Sequence, residues 1–368
     1  MGRRALGEIA RRDRPPPAEG VAWQGFILST DDHPVMSGYS VGVVGAGWMA
    51  TDYHIPAYRD HGSTRVVAVA ELNESRRDET ASRFGLQGYD SAEAMLEAES
   101  LDVVSICTPP STHRDVFLAA VEAGCHVFCE KPLTIDADSA REMQRAAESA
   151  GVITQVGYLT RYYENAKKAM SILRNDLLGE LIEVRTTHHS TPPTQGWYYD
   201  RSVSGGGVMR DLLPHSLDMY LDLFGDATVE DCRLRDTRNR GVEDVAELSL
   251  AFPARDLTVD FTVGWTQPDV FMRHVAVGTE GWLEFDGDTL SGAIHGRPFE
   301  FRHGETPIVD IGLTQLYGAT TDDANTERLT DFVDHVVAGD RNTSAPVERG
   351  VAVAEVIDSA YELAEGKR

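Results

Sequence analysis

The chain has 368 residues, with 59 Asp and Glu against 34 Lys and Arg, for a formal charge of −25. That balance excludes nucleic acid and anionic membrane surfaces as partners, and no run reaches the roughly 20 apolar residues of a membrane-spanning helix. Four cysteines without framework or CxxC spacing point to a reducing, cytoplasmic interior and give no metal site.

Only four of the cations are lysines. Scarce lysine beside abundant acid and arginine resembles halophilic proteins of high-salt cytoplasm and predicts salt-dependent activity; a GC-rich genome would also deplete lysine. The length leaves room for two domains with substantial cores.

Residues 1–38 do not fit a packed fold. Arg3, Arg4, Arg11, Arg12 and Arg14 precede Pro15-Pro16-Pro17 and a polar stretch. The apolar segment of an export signal is missing, so a disordered extension is expected, with Met36 as an alternative start. Ser40-Val41-Gly42-Val43-Val44 then reads as a buried strand, followed by Gly45-Ala46-Gly47-Trp48-Met49-Ala50 and a helical stretch.

Strand, glycine turn and helix in that order are what a GxGxxA dinucleotide fingerprint requires. Gly45 permits the tight turn, Gly47 lets the backbone approach a pyrophosphate, and Ala50 allows the helix to pack closely on the strand. A second strand, 66–70, ends in Glu71, 21 residues after Ala50. An acid there accepts hydrogen bonds from the adenosine ribose and repels a 2′-phosphate, which favours NAD over NADP. Arg76 and Arg77 keep NADP open.

Strands over 101–107, 126–129 and 152–157 alternate with helices over 112–123 and 137–150, predicting an α/β Rossmann domain, a doubly wound parallel sheet, over 39–157. Two strand ends carry Thr108-Pro109-Pro110-Ser111-Thr112-His113 and Glu130-Lys131-Pro132. Such ends face the ligand crevice, so both segments are expected at the cofactor. Lys131, in a chain that otherwise relies on arginine, suggests a compact ammonium whose pKa its surroundings can lower. A chance surface lysine is the plainer alternative.

From residue 158 the pattern changes. Short alternating runs over 181–185 and 229–301 predict an α+β domain, 158–368, with a large, mostly antiparallel sheet. Between them, Gly205-Gly206-Gly207 leads to Asp211 and His215, which share a face if the segment is helical. Pro214 predicts a distorted or late-starting helix. The acid and imidazole fit a structural pair, half a metal site, or a catalytic base with its orienting acid. His188-His189 reads as strand and turn polarity, and the metal reading fares worst. A dehydrogenase explains the three regions together, because a nicotinamide needs a neighbour that takes the hydroxyl proton as hydride leaves.

In combination with His54-Ile55-Pro56-Ala57 and Gly157-Tyr158, these motifs resemble the glucose-fructose oxidoreductase, inositol dehydrogenase and rhizopine-catabolism (Gfo/Idh/MocA) family of NAD(P)-dependent oxidoreductases, from about Tyr39 to the closing helix at 349–365. The resemblance implies hydride transfer between nicotinamide and a secondary alcohol of a sugar, polyol or cyclitol. It implies a catalytic set of Lys131, Asp211 and His215, with Glu130 near the nicotinamide ribose.

His215 would then take the hydroxyl proton, Lys131 would steady the oxygen and Asp211 would orient the imidazole. The expected cofactor contacts are Gly45, Gly47, Trp48, Met49, Ala50, Glu71, Arg76, Thr108, Pro109, His113, Glu130 and Lys131. Tyr158, Arg161, Trp197, Tyr199 and Arg210 are candidates for the substrate wall. Pro110 stands where the family usually has asparagine, and Leu213, where glycine is frequent, is expected to reshape the pocket. An NAD-dependent glycosidase or a sensor of NAD or sugar is the alternative function. The open sheet face, with Trp265 and Trp282, predicts a homodimer or homotetramer.

Overall fold

The computed structural model describes residues 38–267, 270–302 and 324–366. The expected N-terminal extension and Met36 lie outside them. Six parallel strands, β1 (Tyr39–Val44), β2 (Thr64–Ala70), β3 (Gln87–Tyr89), β4 (Val103–Ile106), β5 (His126–Cys129) and β6 (Thr154–Val156), run in the order β3-β2-β1-β4-β5-β6. The order reverses between β1 and β4, which opens the crevice where dinucleotides bind in such sheets. All four residues of β4 are buried, as expected of a strand covered by helices on both faces.

Local chemistry sets the helix limits. The Asn73 side chain accepts from the Arg76 amide and Gly85, at φ 67°, ends that helix after Phe84. The Asp136 side chain caps Ala137–Ala150 and Gly151, at φ 71°, closes it.

The second sheet contains β7 (Leu181–His189), β8 (Thr228–Arg235), β9 (Val245–Phe252), β10 (Leu257–Gly264), β11 (Phe271–Gly278), β12 (Gly281–Phe285), β13 (Thr289–Ile294) and β14 (Arg297–Arg302), in the order β14-β13-β12-β11-β7-β10-β9-β8. Its pairs are antiparallel except β7 with β10. Along β7, Val184, Thr186 and His188 are buried while Ile182 and Arg185 are exposed.

The helix Val208–Phe224 packs on this sheet and continues through Pro214, contrary to the expected late start. Nearly every residue of it is buried, so tertiary packing outweighs the lost backbone hydrogen bond.

The end of the chain returns to the first sheet. From the helix Ala324–Ala338, Leu329, Phe332, Val333 and Val336 pack in one cluster with Val41, Val43, Ile55, Tyr58 and Phe128. The closing helix Val347–Gly366 lies against Ala137–Ala150 and β8. A division near residue 157 thus separates two sheets, while core residues after it complete the first.

Candidate active site

The glycine turn after β1 has two different glycines. Gly45 sits at φ +93°, and a Cβ there would fall 2.8 Å from the Cys107 carbonyl oxygen, so only glycine makes this turn without strain. A Cβ at Gly47 would meet no protein atom within 4 Å. Glycine there leaves space on the outer side of the turn, as a pyrophosphate requires.

Ala50 is fully buried against the strand, while Trp48 is 61% exposed and, with Met49, lines the cleft. Glu71, at the end of β2, accepts from the amides of Ala46 at 3.0 Å and Asn73 at 2.8 Å, and pairs with Arg76 at 2.9 Å. Burial opposes its charge, but those donors hold the carboxyl below its ordinary range. Arg76 meets this carboxylate, and Arg77 pairs with Asp78 at 3.5 Å.

A cleft of about 310 Å³ runs from Trp48 and Met49 of this turn to the helix Val208–Phe224, and Lys131, Asp211 and His215 all line it. The Lys131 Nζ donates to the Asp211 Oδ1 at 2.8 Å and to its backbone carbonyl at 3.1 Å. Burial alone would lower the lysine pKa; Asp211 outweighs it, so the pKa rises above its ordinary value. This corrects the expectation of a lowered lysine pKa: an ammonium with a carboxylate in contact stays charged.

Asp211 also accepts the indole N–H of Trp265 at 3.1 Å. Both of its oxygens are thus engaged, and neither orients His215 as expected. Trp265 itself is 1% exposed, so it is not on the open sheet face. The Leu159 amide donates to His215 Nδ1 at 3.5 Å, too long to fix a tautomer. Burial first, then the Lys131 charge, drives the His215 pKa well below 6.5. The cleft therefore pairs a permanent ammonium with a neutral imidazole.

Glu130 is turned the other way. Its Oε1 accepts from His54 Nε2 at 2.9 Å and Arg328 at 2.6 Å. Burial opposes the carboxylate charge, and the Arg328 guanidinium together with the His54 hydrogen bond outweighs it, holding the pKa far below the usual range. Arg328, 1% exposed, also donates to the Gly157 carbonyl at 2.8 Å. His54 ends a π-helical turn, Ala50–His54, between the fingerprint and the helix Ile55–Asp60. Such turns insert a residue into a helix and often mark functional sites.

The remaining expected residues divide. Thr108 and Pro110 line the cleft, and Pro109 caps the helix Pro110–Glu122. His113 lies behind the wall, fully buried, with Nε2 2.6 Å from the Thr108 carbonyl and Nδ1 3.1 Å from that of Pro132. It ties the two strand ends together rather than meeting a cofactor.

Tyr158 is fully buried in the core, and Arg161 is bound to Asp218 at 2.7 Å and the Ser344 carbonyl at 2.7 Å. Tyr199 donates to the Pro193 carbonyl at 2.8 Å and packs beside Trp265. None of these three lines the cleft, because the side-chain direction in short irregular segments does not follow a simple period. Leu213, fully buried, also lies in the core rather than the pocket.

Trp197 and Arg210 do line the cleft, and Arg210 is paired with Asp358 at 2.5 Å. Sequence reasoning missed Tyr198, which stands between Trp197 and the Lys131 pair, and Arg328. It also took His188 for strand and turn polarity. That ring is 8% exposed, with its centroid 6.5 Å from that of His215, and burial lowers its pKa to about 4. The alternation along β7 could have placed it inward.

The comparisons with known proteins agree with this architecture. Residues 39–158 match the model of an oxidoreductase family with an NAD-binding Rossmann fold, and residues 166–284 match the GFO/IDH/MocA C-terminal domain. The chain is 30% identical to 1,5-anhydro-D-fructose reductase of Ensifer adhaerens over 67% of its own length and 81% of the relative's. It is 31% identical to D-glucoside 3-dehydrogenase of Escherichia coli over 52% of its length, spanning only 55% of that relative.

A levoglucosan dehydrogenase in complex with NADH and levoglucosan shares the fold at TM-score 0.79 and 21% identity, over 90% of this chain and 98% of that one. The chain belongs to the Gfo/Idh/MocA oxidoreductase family, with an NAD-binding Rossmann domain followed by the family's C-terminal domain.

Proposed function

We propose that the chain is an NAD-dependent dehydrogenase acting on a secondary alcohol of a sugar, polyol or cyclitol. The observation that carries this reading is the Lys131 ammonium and the neutral His215 lining one cleft with the dinucleotide turn. The residues fit NAD: Gly47 leaves room for the pyrophosphate, and the ionised Glu71 suits a ribose diol while repelling a 2′-phosphate. Bound there, NAD would supply the hydride acceptor.

His215, uncharged, accepts the proton of the substrate hydroxyl. Lys131 has used two donors on Asp211 and keeps a third, which stabilises the negative charge growing on that oxygen. Asp211 acts by positioning and charging Lys131. In the reducing direction the same two groups return the proton. D-Glucoside 3-dehydrogenase and 1,5-anhydro-D-fructose reductase, by their names, work on neutral sugars and sugar-like ketones, which supports this substrate class. A sensor would need neither a charged lysine nor a neutral base.

Ile182 and Trp282 stand exposed at 66% and 42% on the outer face of the second sheet, where a second copy in a homodimer or homotetramer would cover them. Sedimentation at micromolar concentration tests this. For the chemistry, a panel of sugars, polyols and cyclitols is assayed for stoichiometric NADH formation. Turnover is expected for the native chain, with large losses in Lys131→Ala and His215→Ala; undiminished turnover in both variants would reject the mechanism. Turnover without net NADH would instead favour the glycosidase.

A further inference from the structure

Among the described residues, each fixed cation lining the cleft already holds a carboxylate. Lys131 holds Asp211 at 2.8 Å, Arg210 holds Asp358 at 2.5 Å, and Arg328 holds Glu130 at 2.6 Å. These pairs are largely buried, with the side chains of Arg210 and Arg328 only 4% and 2% exposed. Proteins recognise a carboxylate or phosphoryl group with a free guanidinium fork or ammonium. At Lys131 an anionic substrate would find only the one donor not given to Asp211, and at Arg210 or Arg328 it would have to pull the cation from its partner, leaving that carboxylate uncompensated. The two histidines at the site cannot substitute, because burial keeps both His215 and His188 neutral. The formal charge of −25 adds repulsion at longer range.

What the cleft does offer is an aromatic surface. Trp197 and Tyr198 stack with ring centroids 3.8 Å apart and planes 23° apart, and both line the cleft. Tyr198 stands edge-on to Trp265 at 6.1 Å, and Trp265 donates to Asp211. The stack is therefore fixed relative to the Lys131 pair. Burial, reinforced by Asp211, pushes the Tyr198 phenol up to about 12, so it adds no charge. A ring with axial C–H groups on one face and hydroxyls at its rim matches such a surface.

We propose that this site selects uncharged cyclic carbohydrate, with one face of the ring on the Trp197–Tyr198 stack, and rejects sugar acids and sugar phosphates. The proposal deepens the dehydrogenase reading and rests on the same cleft. The test is calorimetric titration of the full chain, saturated with NADH so that no turnover occurs, with methyl glucoside, myo-inositol, glucuronate and glucose 6-phosphate. A neutral ring is expected to bind at least about 100-fold more tightly than both anions. Trp197→Ala should weaken it about 10-fold and Trp197→Phe should restore most of the loss, with NADH affinity reporting that the variants are folded.

Equal or tighter binding of either anion overturns the charge selection, as does failure of both neutral rings to bind. An unchanged dissociation constant in Trp197→Ala overturns the platform. Selective binding of a neutral ring without hydride transfer in the NAD-loaded protein sinks the dehydrogenase reading and leaves this inference standing.

Discussion

Lys131 and Glu130 are neighbours in sequence and opposites in use. The lysine faces the cleft with a side chain 17% exposed and meets a carboxylate 14% exposed. The glutamate faces inward to His54 and Arg328, whose side chains are 0% and 2% exposed. Both line the cleft, but the lysine keeps a donor for a substrate while the glutamate is committed to the scaffold. Both have strongly biased ionisation. Perturbed pKa alone does not single out a catalytic group; a donor or acceptor left free toward the cleft is the added requirement.

The comparison breaks most visibly if the two faces are altered separately. Lys131→Met removes the donor to the reacting oxygen and should lower kcat by about 100- to 10,000-fold. It should leave the urea midpoint little changed, because the partly exposed Asp211 keeps the Trp265 donor and gains water. Steady-state rates and urea melts on one preparation check both halves. A kcat within threefold of native would remove Lys131 from the chemistry.

Arg328→Met attacks the inner face. It leaves the buried Glu130 carboxylate with His54 and one amide, and should cost about 3–5 kcal/mol of stability. Arg328→Lys should recover part of that, since an ammonium restores the charge without the fork that also reaches Gly157. Urea midpoints of the three proteins give the answer, and equal midpoints would mean that the inner network is not what holds the turn.

These two faces also mark the limit of what the sequence discloses. Strand and helix periodicity, together with the glycine turn, yields five of the six strands of the first sheet, with His126–Cys129 and Ala137–Ala150 where expected, and misses the three-residue edge strand Gln87–Tyr89. Lys131, Asp211 and His215 are legible because they sit at strand ends or at helical spacing. Their pairing is not legible. The i, i+4 rule brings Asp211 near His215 along one helix, yet the stronger partner of the carboxylate is an ammonium 80 residues away. Arg328 is invisible for the same reason, reaching Gly157 across 171 positions. Tyr158 follows β6 without regular structure and Arg161 sits in a single 3-10 turn, Thr160–Tyr162, both too short for a period to say which way a side chain points.

Acid and alkaline limbs sharpen the comparison at the level of protons. His215 works unprotonated, and its folded pKa lies below 6.5. Activity in the oxidising direction should therefore persist as pH falls through 6.5 and be lost only well beneath it. On the alkaline side, Lys131 is raised above 10.5, so the ammonium should not limit kcat/KM until pH exceeds that value. Because the Lys131 charge helps depress His215, the residual activity of Lys131→Met should show its acid limb displaced upward. A native acid limb centred at or above 6.5 would contradict the neutral-base assignment.

The smallest effect is expected at Tyr158, which sequence reasoning placed in the substrate wall. Its ring is fully buried, and its hydroxyl has no hydrogen-bond partner among the described residues. Tyr158→Phe removes an unsatisfied polar atom while keeping the ring, so stability should change by less than about 1 kcal/mol, in either direction. The kcat and the sugar KM should both stay within about twofold, because Tyr158 does not itself line the cleft. A tenfold rise in the sugar KM would return Tyr158 to the substrate wall, and would show that the division between a reactive outer face and a sealed interior does not extend past the Glu130-Lys131 turn.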